Sequence, residues 1–268
     1  MGNLILKHFN LEITRKCNQK CFYCFNDSGY SRLQNELKLE EWEKTLTSLS
    51  DLGVESVHIT GGEPFLHPNI IRILCKSVEL GLSTTVLSNG FKVASYCYEM
   101  PNLFKQLRLA QISLDSMDPQ VHNQRRGFRT AFDDAMAAIE ALGQLRVPIE
   151  ISTTVSDDNL DGVLKIGNFC KEIGASLIVR PLISAGRASN IRHSFVFRRR
   201  LRLVLLHLVD VLKVRVLSDR FMYVADSRES DLIMREHGIV TVEATGRIRS
   251  GVTPLRTIDS ILEELRVA

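Results

Sequence analysis

Short apolar runs alternate with longer amphipathic stretches along the first two-thirds of this chain, and that rhythm leaves few architectures open. Ile5–Thr14, Ser56–Thr60, Thr84–Leu87, Ala110–Leu114, Pro148–Val155 and Ser176–Ile183 read as strands. Helices are predicted between and after them: Leu39–Leu52, Asn69–Leu80, Val93–Gln106 with a break at Pro101, Thr130–Leu145, Leu160–Ile173 and Phe197–Val211. In the first, Leu39, Trp42, Leu46 and Leu49 recur at three- and four-residue steps, and Gly53 stands where a helix should end. Thr130 precedes Asp133 by three residues, close to a capping box. Six strand–helix units imply an α/β fold with a parallel sheet and right-handed crossovers. They suit a partial (β/α)6 TIM-like barrel, open on one side, with its site at the C-terminal ends of the strands. A doubly wound sheet would put the site at the same ends.

The pattern changes near residue 212. Val214–Leu217, Phe221–Ala225, Ile239–Glu243 and Arg247–Arg249 read as short strands, Ala244-Thr245-Gly246 as a hairpin turn, and Thr257–Leu265 as a last helix. The expected division is therefore 1–211 for the barrel and 212–268 for a small C-terminal α+β extension. With 268 residues and 44% apolar content, one sizeable core is affordable. The 34 basic and 31 acidic residues leave a net charge of +3, which calls for neither nucleic acid nor an anionic membrane as partner. The apolar stretch Leu201–Leu217 is broken by Arg202, His207, Asp210, Lys213 and Arg215, and no signal peptide opens the chain. A cytoplasmic protein is expected. The run Arg198-Arg199-Arg200 reads as a solvated helix face, with an acidic partner as the alternative.

Three of the six cysteines, Cys17, Cys21 and Cys24, fall within eight residues, spaced C-x3-C-x2-C directly after the first strand. In a long chain without a secretion signal, such clustering points to metal rather than disulfides. Fully protein-ligated [4Fe–4S] sites normally use four cysteines. Three would leave one iron open to a further ligand, as catalytic metal sites do. A structural zinc site completed by His8 or His58 is the alternative. Cys75, Cys97 and Cys170 lie in helix-like segments, where buried small-hydrophobe roles are usual.

The cysteine spacing and its position resemble the radical S-adenosylmethionine (SAM) superfamily, and further motifs follow in that family's order over about residues 5–190. The resemblance implies one [4Fe–4S] cluster on Cys17, Cys21 and Cys24, with SAM on its open iron and Tyr23 near the adenine. Gly61-Gly62-Glu63-Pro64 resembles the family's GGEP motif after the second strand. Its glycines would let backbone approach a ligand closely, and its oxygens would accept from the SAM ammonium. Ser88-Asn89-Gly90 resembles the polar segment that contacts SAM, and Ser113 and Asp115 resemble the motif that holds its ribose or carboxylate. Turn formation and capping are the alternatives for these residues. The implied chemistry is one-electron cleavage of SAM to a 5′-deoxyadenosyl radical that takes hydrogen from a substrate. Cys75, Cys97 or Cys170 would be candidate hydrogen donors if the product is an epimer.

Arg180-Pro-Leu-Ile-Ser-Ala-Gly-Arg187-Ala and Arg126-Gly127 resemble the branch containing molybdenum-cofactor biosynthesis protein A, the pyrroloquinoline-quinone peptide enzyme and anaerobic sulfatase-maturing enzymes. Arg126 and Arg180 are expected at the SAM site, as bidentate carboxylate holders or else as surface ion pairs. That branch often carries auxiliary clusters. Ser250 stands where a cysteine would be expected and none follows Cys170, so no auxiliary cluster is expected. The first barrel strand opens the chain, so no leader-recognition domain is expected, and a separate peptide-recognition protein could serve instead. The expected substrate is a peptide or small molecule in natural-product or cofactor maturation, with a flavodoxin or ferredoxin as electron donor. Thr14 to Phe25, Gly61 to Leu66 and Asp115-Ser116 also resemble viperin, which keeps a sugar or nucleotide substrate open. A zinc-stabilised binding protein is the non-enzyme alternative.

Overall fold

The structure, a computed structural model, describes residues 7–29, 36–212, 216–218, 239–242, 247–250 and 253–257. Six parallel strands, β1 (His8–Glu12), β2 (Ser56–Thr60), β3 (Ser83–Ser88), β4 (Leu109–Ser113), β5 (Ile149–Val155) and β6 (Ser176–Pro181), pair in sequence order. Helices α1 (Leu39–Asp51), α2 (Ile70–Glu79), α3 (Val93–Glu99), α4 (Pro101–Phe104), α5 (Pro119–Arg126), α6 (Ala131–Gln144), α7 (Val163–Ile173) and α8 (Phe195–Leu206) lie between and after them. The α/β alternation is thus as the sequence implies, with Pro101 splitting the third helix as expected.

Two details differ. Thr130 makes no side-chain cap at the start of α6, because its hydroxyl points to Asp134 at 3.4 Å instead. Helix α5 was not anticipated. It starts at an Asp118 cap, whose carboxylate accepts from Gln120 N at 2.8 Å, with Pro119 in the first turn. Its buried residues are His122, Arg125 and Arg126, so it carries no apolar periodicity.

From the segment after residue 212, β7 (Val216–Ser218) pairs parallel with β6, and β8 (Ile239–Val242) pairs parallel with β1. Strands β9 (Arg247–Ser250) and β10 (Thr253–Thr257) continue antiparallel, giving ten strands in the order β10-β9-β8-β1-β2-β3-β4-β5-β6-β7. β10 occupies residues where a loop and the start of a helix were expected. The expected strand Phe221–Ala225, the turn 244–246 and the body of the last helix lie outside the described residues.

Side chains alternate between sheet faces. Leu11, Val57, Ile59, Val86, Ala110, Ile112, Ile151, Leu177 and Val179 meet the helices in one main core. Many of the interleaved positions are polar: Asn10, Glu12, His58, Gln111, Glu150, Ser152 and Arg180. They share the inner face, where Gln111 donates to Glu150, and Arg180 donates to Ser152 Oγ at 2.5 Å and Gln111 Oε1 at 3.4 Å. One face therefore builds the fold, and the other is left for chemistry.

Candidate active site

The cysteine loop leaves the C-terminal end of β1 and is held backbone to backbone by its neighbours. Gly62 N donates to Thr14 O at 2.7 Å, Glu63 N to Lys16 O at 2.8 Å, and Lys20 N to Arg126 O at 2.9 Å. A Cβ on Gly61 would lie 2.3 Å from Thr14 O, and one on Gly62 would lie 2.2 Å from Lys16 O. The two glycines are thus needed for close approach to the chain's own cysteine loop.

Cys17 and Cys21 are buried and Cys24 is partly buried. Burial pushes the Cys17 thiol up to about 12, with Cys21 and Cys24 adding to the rise, and burial raises the Cys21 thiol as well. Gln19 N donates to Cys17 Sγ and Ser28 N to Cys24 Sγ, both at 3.4 Å. Those donors favour sulfur that carries negative charge, and metal coordination deprotonates a thiol outright. Among the described residues, the buried Asn18 Nδ2, Gln19 Nε2 and Ser28 Oγ lack a hydrogen-bond partner. Three clustered thiols, two of them with backbone donors, are a donor set that suits an iron–sulfur cluster. His8 does not fit as a fourth zinc ligand. It opens β1, about 13 Å of strand away from the loop, with Nδ1 at 2.7 Å from Ser56 Oγ. His58 lies mid-strand in β2, lowered to about 4 by burial and by Arg180.

Glu63 is fully buried, and burial raises its carboxyl to about 7 against the hydrogen bonds that favour the charged form. Oε1 accepts from Ser88 Oγ at 2.8 Å and Phe65 N at 3.1 Å; Oε2 accepts from Asn89 N at 2.7 Å. The carboxylate therefore ties the β2 loop to the β3 loop. Pro64 starts a buried turn behind it. Asn89 Nδ2 reaches the cysteine loop, donating to Asn18 Oδ1 at 2.8 Å and lying 3.8 Å from Cys17 Sγ.

Asp115, fully buried after β4, accepts from the Tyr23 hydroxyl and from Thr154 N at 3.0 Å. Arg126 grips it with Nη2 at 3.1 Å from Oδ1 and Nε at 3.0 Å from Oδ2. Burial alone would raise the Asp115 carboxyl, but Arg126 and Arg125 outweigh it and hold it below its ordinary range. Burial raises the Tyr23 hydroxyl well above its usual value. Arg126 is thus spent on Asp115 rather than standing as a surface ion pair.

Arg125 was missed by sequence reasoning. Its guanidinium lies 5.2 Å from the Phe22 ring and 5.1 Å from the Tyr23 ring. It is bonded to Asp158, Ser156 and Thr154 O. Its one sequence signal is the dibasic pair ahead of Gly127. Ser113, partly buried, ends β4 opposite Ser152. Arg180, next to the end of β6, bonds Ser152 and Gln111 on the inner face. Cys75, Cys97 and Cys170 lie in α2, α3 and α7, packed with the core between helices and sheet, away from this loop cluster.

The site is a cysteine loop at the C-terminal end of an open parallel sheet, tied to the loops after β2, β3 and β4. The radical SAM superfamily profile matches residues 11–169, and the chain belongs to that superfamily. Membership implies SAM and an iron–sulfur cluster. Among similar proteins is the antilisterial bacteriocin subtilosin biosynthesis protein AlbA of Bacillus subtilis (strain 168). It is 31% identical over 171 residues, 63% of this chain and 37% of AlbA. The AdoMet-dependent heme synthase of Methanosarcina barkeri (strain Fusaro / DSM 804) is 30% identical over 169 residues, 61% of this chain and 47% of that protein. The match spans less than half of either relative. The crystal structure of Streptococcus suis SuiB bound to S-adenosylmethionine has a TM-score of 0.77 at 18% identity, covering 97% of this chain and 65% of SuiB. SuiB is also known bound to its precursor peptide SuiA, with a TM-score of 0.76. At that identity the likeness establishes the fold. Among the described residues, no helix is long and apolar enough to cross a membrane.

Proposed function

We propose that this chain is a radical SAM enzyme with one [4Fe–4S] cluster on Cys17, Cys21 and Cys24, and that it modifies a peptide during natural-product maturation. When bound, the cluster supplies the electron that splits SAM into methionine and a 5′-deoxyadenosyl radical, which takes a hydrogen atom from the substrate. The observation that carries the reading is the cysteine loop itself. Three thiols, two with backbone donors, are locked to the loops after β2, β3 and α5 at the strand ends where such a site belongs.

The protein's share is positioning and exclusion of water. Tyr23 is held by Asp115 and has Arg125 and Arg126 over its ring, which fixes it where an adenine wall would be needed. Gly61, Gly62, Glu63 and Pro64, whose backbone is tied to Thr14 and Lys16 of the cysteine loop, would line the SAM pocket with Ser88, Asn89, Ser113, Asp115 and Arg126. Arg180, at the end of β6, provides positive charge on the inner face. AlbA's role in bacteriocin biosynthesis and SuiB's precursor peptide support a peptide substrate. A flavodoxin or ferredoxin would supply the electron, and a reducing cytoplasm suits six free cysteines.

A small-molecule substrate is the second reading, favoured by the likeness to heme synthase. A nucleoside triphosphate fits less well. The inner face sets Arg180, with a neutral His58, among Glu12 and Glu150, whereas a polyphosphate needs several unopposed cations.

The test is anaerobic reconstitution followed by iron and sulfide analysis, then a deoxyadenosine assay with dithionite and SAM. About four irons per chain and slow deoxyadenosine release are expected, both lost in Cys21→Ala. Zinc in place of iron, or a loaded protein that never cleaves SAM, would sink the reading.

A further inference from the structure

The segment after β6 returns to the cysteine loop after β1, although β6 and β1 are not neighbours in the sheet. This contact ties together two strand ends that no pairing joins among the described residues. Arg187 makes most of it. Its Nε donates to Cys21 O at 2.7 Å, and its Nη1 donates to Ser28 O and Asp27 Oδ1, both at 2.8 Å. Its backbone N donates to Cys24 O at 3.0 Å. Gly186 lies beneath the same turn with φ of +55°, and a Cβ there would meet Cys24 O and Phe25 O at 2.3 Å each. Those neighbours are backbone atoms with no freedom to swing away. Independently, Leu182, Ala188 and Ile191 pack with Cys21, Tyr23 and Cys24 in a small apolar cluster separate from the main core.

Three carbonyls of one loop, those of Cys21, Cys24 and Ser28, are therefore fixed by one residue. They bracket two of the three thiols. A guanidinium suits this task, because its donors are held in a rigid planar fork that can span separate peptide groups. An ammonium is a point donor on a flexible stem.

We propose that Gly186 and Arg187 form a latch, with Arg187 as a positioning residue that holds the Cys21–Ser28 turn in the shape that presents Cys21 and Cys24 to the cluster. The proposal rests on the reading of Cys17, Cys21 and Cys24 as ligands. The barrel core does not include Arg187, so its loss should loosen the cluster and leave the fold intact.

The experiment compares wild type, Arg187→Ala, Arg187→Lys and Arg200→Ala after anaerobic reconstitution. Arg200 pairs with Asp161 on the surface and serves as the control. The readouts are iron and sulfide content, the rate of iron transfer to a chelator, the electron paramagnetic resonance spectrum of the dithionite-reduced protein, and far-ultraviolet circular dichroism. Arg187→Ala is expected to keep the wild-type dichroism, lose iron about tenfold faster and broaden the resonance, on the scale at which supporting contacts change metal affinity. Arg187→Lys should fall between, and Arg200→Ala should match wild type. Wild-type iron loss and spectrum in Arg187→Ala would overturn the latch alone. If that variant fails to fold, Arg187→Lys decides: faster iron loss supports the latch, and a wild-type rate and spectrum overturns it. A wild type that takes up no iron overturns both the latch and the ligand reading.

Discussion

His122 illustrates how one side chain makes this site depend on pH. Its Nδ1 accepts from Asp115 N at 3.0 Å, so the proton sits on Nε2 and the ring must be neutral. Burial, aided by Arg126 and Arg125 and opposed by Asp115, lowers it to about 4 from an ordinary value of 6.5. Above pH 6.5 the ring is neutral whether the chain is folded or not, and its contribution to stability is complete. As pH falls from 6.5 towards 4 the unfolded chain binds a proton that the folded one refuses, so stability is lost. The loss is about 3 kcal/mol across that window. His58 titrates in the same range, so the useful quantity is the difference between wild type and His122→Gln. Urea denaturation of the apo-protein from pH 7 to pH 4 should give a flatter stability profile for the variant. Parallel profiles would show that His122 is protonated in the fold.

Helix α5 shows which elements the sequence discloses and which it hides. Helices with apolar periodicity, such as α1 with Trp42, Leu46 and Leu49 buried and α6, were legible to within a residue at their ends, whereas the start of α7 and the end of α8 were placed three and five residues off. The cysteine loop and the Gly61–Pro64 turn were legible because spacing and strand-end position are properties of sequence. Helix α5 was not, since it buries His122, Arg125 and Arg126 and pays with ion pairs instead of apolar area. For the same reason Arg125 was invisible as a site residue: what identifies it is the pair of rings and carboxylates that folding brings to it. Such an element should depend on its partner charge. Asp115→Asn leaves Arg126 without a carboxylate in a buried place and removes one of those facing Arg125. Breaking one side of a buried pair costs about 3 kcal/mol or more. Denaturation of the apo-variant is expected to show that loss, and proteolysis within 116–130 should become faster if α5 undocks. A change under about 0.5 kcal/mol, the usual range for surface substitutions, would mean that Asp115 serves a ligand and not the helix.

At the scale of the whole molecule, the sheet is open. Among the described residues its edges are β7 and β10, and no pairing joins them. The helix side of the barrel is cemented by one continuous apolar core, while the strand-end side is held by polar ties that converge on residues 14–28. Glu63 links the β2 and β3 loops, Asn89 reaches Asn18, Asp115 holds Tyr23, and Arg187 spans Cys21 and Ser28. Local stability should follow that division, because segments rich in buried apolar contacts open least. A cluster bound by the folded chain alone stabilises it by mass action, and its effect should concentrate where the ties converge. Hydrogen exchange on apo and reconstituted protein is the direct measurement. Protection gained on loading is expected in 14–29, 61–67, 88–91 and 183–189, with little change in α2 or α7, whose amides already open only through the core. Uniform protection across α2, α7 and the loops would mean that the two sides unfold together. The molecule would then be a single cooperative unit in which the cluster stabilises the core as much as the site.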